Sequence, residues 1–356
     1  MNDKKRFRFT SVGIALSLLL IALSCTKGKS KVDFYFNQGE AFHTFYDIKY
    51  SSDRPLDEPI DKALHQLNNV ANPFEEGTLL YKINHNQPHQ VDSIFRALFE
   101  SALKVSEATG GMYDITVGPF VNAWGFGFEP SAWPGGNVPE EALDSIRQFV
   151  GYTKVRIQGD TLYKADPRIR LDMASIAKGY ASDLVAKALS DNASENYLVE
   201  IGGEIAFAGL NPERVPWRVG VSKPIFDTLG LASDELACVL YLTGKGGMAT
   251  SGNYHNYKVR PDGSRYAHTI DPLSGRPIES DVLSATIIAP NCAIADALAT
   301  ASMTLGSERA LQLCEAWNEV ECLLLVTDST SQEGYRMIQS SGMKRFLEEN
   351  TTDGKE

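Results

Sequence analysis

With 45 acidic residues against 34 Lys and Arg, this 356-residue chain carries a formal charge of −11, a balance that excludes a general nucleic-acid binder. Its length exceeds the usual single-domain size, yet no Pro-, Gly- or Ser-rich run reads as a linker. One compact body, of two fused lobes, is expected.

The first residues bear on compartment. Lys4, Lys5, Arg6 and Arg8 form a basic start, and Val12 to Ser24 is an apolar run. It is too short to span a bilayer comfortably and fits a signal-peptide core. The run ends at Ala22-Leu-Ser-Cys25, where a small residue precedes a cysteine as in bacterial lipoprotein cleavage sites, with Ala22 in place of the usual Leu. Residues 1–24 are therefore expected to be a lipoprotein signal peptide, and Cys25 the lipidated first residue of a mature protein anchored by multiple acyl chains. An ordinary signal peptide or an uncleaved anchor is the alternative. The expected location is the bacterial cell envelope, lipid-anchored and facing the periplasm or exterior. Loss of residues 1–24 removes four basic side chains and one acid, which takes the formal charge from −11 to −14. Cys238, Cys292, Cys314 and Cys322 then remain, free to pair in three ways or to stay as buried thiols, and none has zinc-site spacing.

Residues 25–38 read as a polar tether, with alternating lysines at the start, and residues 39–350 as the folded domain. The first strand is expected from Ala41 to Tyr50, where Phe42, Thr44, Tyr46 and Ile48 share one parity. Ile60 to Val70 and Ser93 to Thr109 have helical apolar spacing, the second stopped by Gly110-Gly111. Between them His85 and His89 stand four apart, but in a polar loop that offers no helical face for a metal. Asp114 lies in a strand-like apolar run, Met112-Tyr-Asp-Ile-Thr-Val117, where a buried carboxylate needs a partner from the protein or from a ligand. Trp124, Phe126 and Phe128 alternate with glycine, which suits a planar ring and ordinary core packing equally. A helix over Pro139 to Val150 and a hairpin at Gln158-Gly-Asp160 follow.

Arg168 to Leu171 alternates like a short strand, and from Ile176 the apolar spacing is helical, so a strand hands over to a helix near Ser175. Asp172, Ser175 and Lys178 sit at three-residue intervals at that junction. A helix N-terminus with a lysine one turn in suits phosphate; the plainer reading is a Ser N-cap and a solvated Lys. Strands are expected at Tyr197–Phe207, broken by Gly202-Gly203, and at Trp217–Val221, Leu236–Thr243, Met248–Val259 and Val282–Ala289, with a turn at Arg260-Pro-Asp-Gly263. Cys292 to Leu305 is a helix apolar on every side, hence buried, yet it carries Asp296 and Thr300 one turn apart. A hard cation such as Mg²⁺ would compensate that carboxylate; otherwise Asp296 pairs with a Lys or Arg and Thr300 bonds back to its own helix. Hairpin turns among a few amphipathic helices argue α+β with mainly antiparallel sheet. No GxGxxG after a strand, P-loop, GxSxG or HExxH is present.

Six motifs in order now resemble one family. They are Gly110-Gly-Met-Tyr-Asp-Ile-Thr-Val-Gly-Pro-Phe-Val with Trp124-Gly-Phe-Gly, Leu171-Asp-Met-Ala-Ser-Ile-Ala-Lys-Gly-Tyr-Ala-Ser-Asp, Glu200-Ile-Gly-Gly-Glu, Thr250-Ser-Gly-Asn-Tyr, His268-Thr-Ile-Asp-Pro-Leu-Ser-Gly and Ala295-Asp-Ala-Leu-Ala-Thr300. Together, from about Ala41 to Leu305, they resemble the FAD:protein FMN transferases of the ApbE family. The resemblance implies an ApbE-like, T-fold-like two-lobed α+β body with packed helices. It implies an enzyme that uses FAD and Mg²⁺ outside the cytoplasm, transfers FMN to a Thr or Ser hydroxyl of a target protein and releases AMP. The acceptor would be a flavin-bearing subunit of a membrane redox complex or a related electron-transfer protein. Phe42, Met112, Tyr113, Asp114, Asp172, Lys178 and Ile270 match FAD-contact positions, and Ser175, through its carbonyl or hydroxyl, matches the metal with Asp296 and Thr300. His268 is the candidate base for the acceptor hydroxyl, the alternative being a structural His in a turn. The sequence departs from the pattern at Phe42 and His43, where Met and Gly are usual, and at Asn253, where Asp is usual. A FAD pyrophosphatase releasing FMN and AMP, or a FAD-binding lipoprotein without catalysis, are the alternatives.

Overall fold

The computed structural model describes residues 32–127, 129–224, 235–252, 257–260, 263 and 265–348. The expected signal segment, Cys25, Phe128 and Asn253 lie outside these residues. The chain opens with the hairpin β1 (Asp33–Ala41) and β2 (Thr44–Ser52), then helices α1 (Asp57–Ala71), α2 (Leu79–Asn84) and α3 (Ser93–Ala108). Helices α4 (Gly118–Ala123) and α5 (Glu140–Arg147) lead into the hairpin β3 (Val155–Gln158) and β4 (Thr161–Lys164). Helix α6 (Ala174–Asp191) precedes the hairpin β5 (Tyr197–Ile201) and β6 (Glu204–Ala208), then the ribbon β7 (Trp217–Ser222) and β8 (Leu236–Leu242). Strand β9 (Lys245–Gly252), the ribbon β10 (Tyr257–Val259) and β11 (Arg265–Ala267), and β12 (Val282–Ala289) follow. The chain closes with α7 (Cys292–Leu305), α8 (Ser307–Ala316), β13 (Glu321–Thr327), β14 (Tyr335–Gln339) and α9 (Lys344–Leu347).

Eight strands form one sheet in the order β1-β2-β5-β6-β9-β12-β13-β14, antiparallel at every step. Alternation on the pleat divides its side chains between two cores. Val199, Ile201, Ala206, Ala249, Ala285, Ile287 and Leu324 face the helices, whereas Leu198, Ile205, Phe207, Met248, Leu323 and Leu325 face the β7–β8 ribbon. Alanine on the helix side of β6, β9 and β12 lets α7 lie close: a Cβ at Gly247 would fall 2.1 Å from the Cys292 nitrogen. A third, smaller core of Phe120, Trp124, Leu143, Ile146, Tyr266 and Ile270 forms the second lobe.

The α+β class, the antiparallel sheet and the long helices agree with expectation, and α7 and β12 have the expected limits. Four stretches differ. Strand β1 begins at Asp33, inside the stretch expected as tether, and pairs along its length with β2, so the strand expected from Ala41 is broken by a turn at Phe42-His43 and begins at Thr44. Arg168–Leu171 is not a strand: its alternation buries Ile169 and Leu171, while the Leu171 backbone bonds the Asn84 side chain through both its N–H and its carbonyl, at 2.8 and 2.9 Å. The run around Asp114 is a turn, because Asp114 Oδ1 accepts from the Thr116 N–H and hydroxyl, each at 2.7 Å, and so replaces a ladder partner. The strand expected over Met248–Val259 is split, with β9 ending at Gly252 and β10 pairing, among the described residues, only with β11. Cys238, Cys292, Cys314 and Cys322 are free thiols. Among the described residues no helix is long and apolar enough to cross a membrane.

Candidate active site

Between the large core and the second lobe lies a cavity of about 830 Å³. Its walls come from the junction before α6, from α6 and α7, from the end of β9, and from the loop after β11. Met112, Tyr113, Asp114, Asp172, Lys178 and Ile270, all expected at FAD, line it, as do Ser175, Asp296 and Thr300, expected at the metal, and His268. Phe42 alone among the expected residues is not in the lining. It occupies the two-residue β1–β2 turn, with φ 54° at Phe42 and 60° at His43, and packs against the large core. His43 lies 6.4 Å, ring to ring, from Phe74 at the cavity wall.

The start of α6 is built around Asp172. Its carboxylate accepts from the Ala174 N–H at 2.9 Å, so Asp172 rather than Ser175 satisfies the first turn. Ser175 instead donates to the Tyr113 hydroxyl at 3.1 Å. Burial raises the Tyr113 phenol well above its ordinary value, and the charges of Asp296, Asp172 and Asp114 add to the effect against the Ser175 hydrogen bond, so Tyr113 stays protonated. Asp114 is raised by burial and held down by its Thr116 and Tyr152 donors, the Tyr152 N–H lying 2.6 Å from Oδ2. Its partners are thus supplied by the protein.

One turn into α6, Lys178 forms an ion pair with Glu204, the first residue of β6. Burial pulls the Lys178 ammonium down, but the carboxylates of Asp296 and Glu204 outweigh it and the net shift is upward. Asp296 is raised by burial, against the pull of Lys178 and of the Gly179 N–H, which donates to Oδ2 at 3.0 Å. Glu204 is pushed up to about 8 by burial and then by the Asp296 charge. Two carboxylates therefore share one ammonium, an excess of negative charge that a proton on Glu204 or a bound cation would relieve. Thr300 lies 3.4 Å, oxygen to oxygen, from Ser251 at the same wall. Among the described residues no three His, Cys, Asp or Glu cluster as a metal site; Asp296 with the oxygens of Thr300 and Ser175 would suit a hard ion that keeps several waters, as Mg²⁺ does.

The two helices are tied to each other at this point. Asp183 of α6 accepts from the first N–H groups of α7, Cys292 at 2.8 Å and Ala293 at 2.9 Å, and so acts as a cap supplied by another helix. Burial pushes Asp183 up to about 6, opposed by those two donors and aided by the Asp296 charge. The folded state therefore keeps a proton that the unfolded chain has lost above about pH 4, and stability falls as pH rises from about 4 to 6. In Asp183→Asn this part of the pH dependence should disappear. Urea unfolding of both proteins at about pH 4.5 and 7 checks it, and an equal slope in the two would refute the assignment.

Glu204, Asp183, Gly179 and Ser251 were not expected at the site. The signal for Glu204 was the Gly202-Gly203 break, which the structure shows as a turn with φ 63° and 99°. Asp183 closes the Leu171–Asp183 motif, and its partner lies more than a hundred residues away. His85 and His89 have separate structural roles, His85 stacked on Tyr81 at 3.9 Å and His89 accepting from the Leu162 N–H at 3.2 Å.

The ApbE family model matches residues 42–324. An FAD:protein FMN transferase of Vibrio cholerae is 36% identical over 343 residues, 94% of this chain and 98% of its own. One from Escherichia coli K12 is 32% identical over 324 residues, 87% and 88% of the two chains. Among solved structures, the flavin transferase ApbE from Vibrio cholerae superposes with a TM-score of 0.75 at 35% identity, over 89% of this chain and 100% of that one. The apo form of the Pseudomonas stutzeri flavinyl transferase ApbE gives 0.75 at 30% identity, over 89% and 97%. With the family model matched over most of its length, a relative 36% identical over 94% of it and the same fold, the chain belongs to the ApbE family.

Proposed function

We propose that this protein transfers FMN from FAD to a Thr or Ser hydroxyl of an extracytoplasmic target protein, with Mg²⁺, and releases AMP. The observation that carries the reading is the cluster of half-buried Lys178 with buried Glu204 and Asp296, beside Thr300, in a cavity large enough for a dinucleotide. Relatives named FAD:protein FMN transferase, similar over most of their length, support the same reaction.

In this reading the acceptor oxygen attacks the phosphorus on the FMN side of the pyrophosphate, a new P–O ester bond forms, and the P–O bond to AMP breaks. Lys178 and the N-terminal turn of α6 bind the pyrophosphate and spread its developing charge. Ser175, Asp296 and Thr300 would hold Mg²⁺, which would supply further neutralisation of that charge. His268 takes the proton of the acceptor hydroxyl, and Phe126, 6.2 Å away ring to ring, limits its orientation. Met112, Tyr113, Asp114, Asp172 and Ile270 form the FAD walls, and Phe42 of the β1–β2 turn is the remaining residue expected at FAD. The basic start, apolar run and Cys25 support a lipid-anchored protein of the bacterial cell envelope, facing the periplasm or exterior and acting on a flavin-bearing redox subunit.

One incubation tests this: protein, FAD, Mg²⁺ and a Thr-containing acceptor domain, followed by acceptor mass and AMP release. Transfer predicts a flavinylated acceptor and one AMP per transfer. AMP with an unmodified acceptor would instead make the protein a pyrophosphatase, and bound FAD without AMP would make it a flavin carrier.

A further inference from the structure

Glu204 is 6% exposed, lines the cavity, and has one oxygen, Oε1, on Lys178. Its other oxygen, Oε2, is buried with no hydrogen-bond partner. A buried acceptor left open is costly and calls for a donor that arrives with a ligand. The side chain is also held in place from behind. The Ser182 hydroxyl donates to the Glu204 carbonyl at 2.9 Å, tying β6 to α6. Gly202 brings the turn so close that a Cβ there would lie 2.8 Å from Thr44 and 3.2 Å from the Lys178 chain.

The geometry points to Glu204 as a substrate-binding residue, its free oxygen accepting a hydrogen bond from a sugar hydroxyl that flanks the pyrophosphate of FAD. This assignment rests on the FAD reading above. Lys178 would mark the pyrophosphate position, and Glu204 touches Lys178. In its ion pair with Lys178 the Glu204 carboxylate repels phosphate oxygens, so with Mg²⁺ held by Ser175, Asp296 and Thr300 the group that meets Oε2 is a neutral donor. In FAD the donors next to the pyrophosphate are hydroxyls, those of the ribityl chain on one side and of the adenosine ribose on the other. The flavin and adenine N–H donors stand at the far ends. Glu204 thereby selects for a polyol beside the diphosphate, and holds Lys178 with the same carboxylate.

The test compares FAD with analogues lacking a ribose 2′ or 3′ hydroxyl, or a ribityl hydroxyl next to the phosphate. Wild-type protein, Glu204→Gln and Glu204→Ala are each assayed for kcat, KM and fluorescence-detected binding. For wild type, one analogue should lose roughly 10-fold or more in kcat/KM, mostly through KM. In both variants that discrimination should shrink to within about twofold, with all parent FAD activity reduced. The analogue that loses identifies the side of the pyrophosphate involved. Glu204→Gln keeps the side-chain volume and serves if the alanine variant melts below the assay temperature. Unchanged discrimination in a folded variant, or a wild type indifferent to every analogue, overturns the assignment and leaves the transferase intact. A wild type that binds no FAD would fail the functional reading itself, a different result.

Discussion

Asp296→Ala is expected to abolish Mg²⁺-dependent flavin transfer, by about 10³-fold or more, while the protein stays folded. The loss of function follows because Asp296 is the carboxylate of the proposed metal set, and the neutral oxygens of Thr300 and Ser175 bind a hard cation weakly on their own. Retention of the fold follows from the opposing terms around the same side chain. Deleting it removes the hydrogen bond its carboxylate accepts from the Gly179 N–H, which costs about 1–3 kcal/mol. It also removes a charge that burial already disfavours, and leaves Lys178 paired with Glu204 alone. A thermal melt should therefore move by a few degrees, and acceptor mass should show no added flavin at any Mg²⁺ concentration. Full transfer by a folded Asp296→Ala protein would remove the metal assignment.

That Asp296 and Thr300 could be singled out from sequence has a plain cause. Four-residue spacing on a helix fixes one face, and a carboxylate in an otherwise apolar helix demands compensation wherever the helix packs. The spacing of Asp172, Ser175 and Lys178 was legible for the same reason. Their partners were less so. Lys178 meets Glu204 across a turn that only its two glycines announced, and Asp183 reaches the start of α7 through tertiary packing that no local pattern encodes. Asp114 shows the opposite error. Alternating apolar neighbours gave it the look of a strand, but a short side chain that bonds its own backbone two residues on makes a turn instead. Strand β1 was hidden by the lysine-rich residues before it, although Phe34 and Phe36 carry the alternation of one face. Phe42 matched a family position; it stands with His43 in the left-handed β1–β2 turn and is not among the residues lining the cavity.

Gly179→Ala should weaken both stability and transfer, although alanine is the better helix former. In an isolated helix the change would favour folding by about 1 kcal/mol. Here the added Cβ would lie 2.5 Å from the Cys292 carbonyl oxygen and 2.8 Å from the Asp296 Cβ, and neither can move without shifting α7. Overpacking of a rigid contact costs about 1–3 kcal/mol, so the clash outweighs the propensity gain and the net change is destabilising. The functional effect should be larger. Pushing α7 away lengthens the Gly179 N–H contact to Asp296 and separates Lys178 and Ser175 of α6 from Asp296 and Thr300 of α7. A displacement near 1 Å in such a set lowers turnover about 10²-fold. Urea unfolding should show a lower midpoint at unchanged slope, and transfer assays a fall in kcat that added Mg²⁺ restores only in part. A variant as stable as wild type and fully active would mean that α6 and α7 tolerate separation, and that the site does not depend on their close crossing.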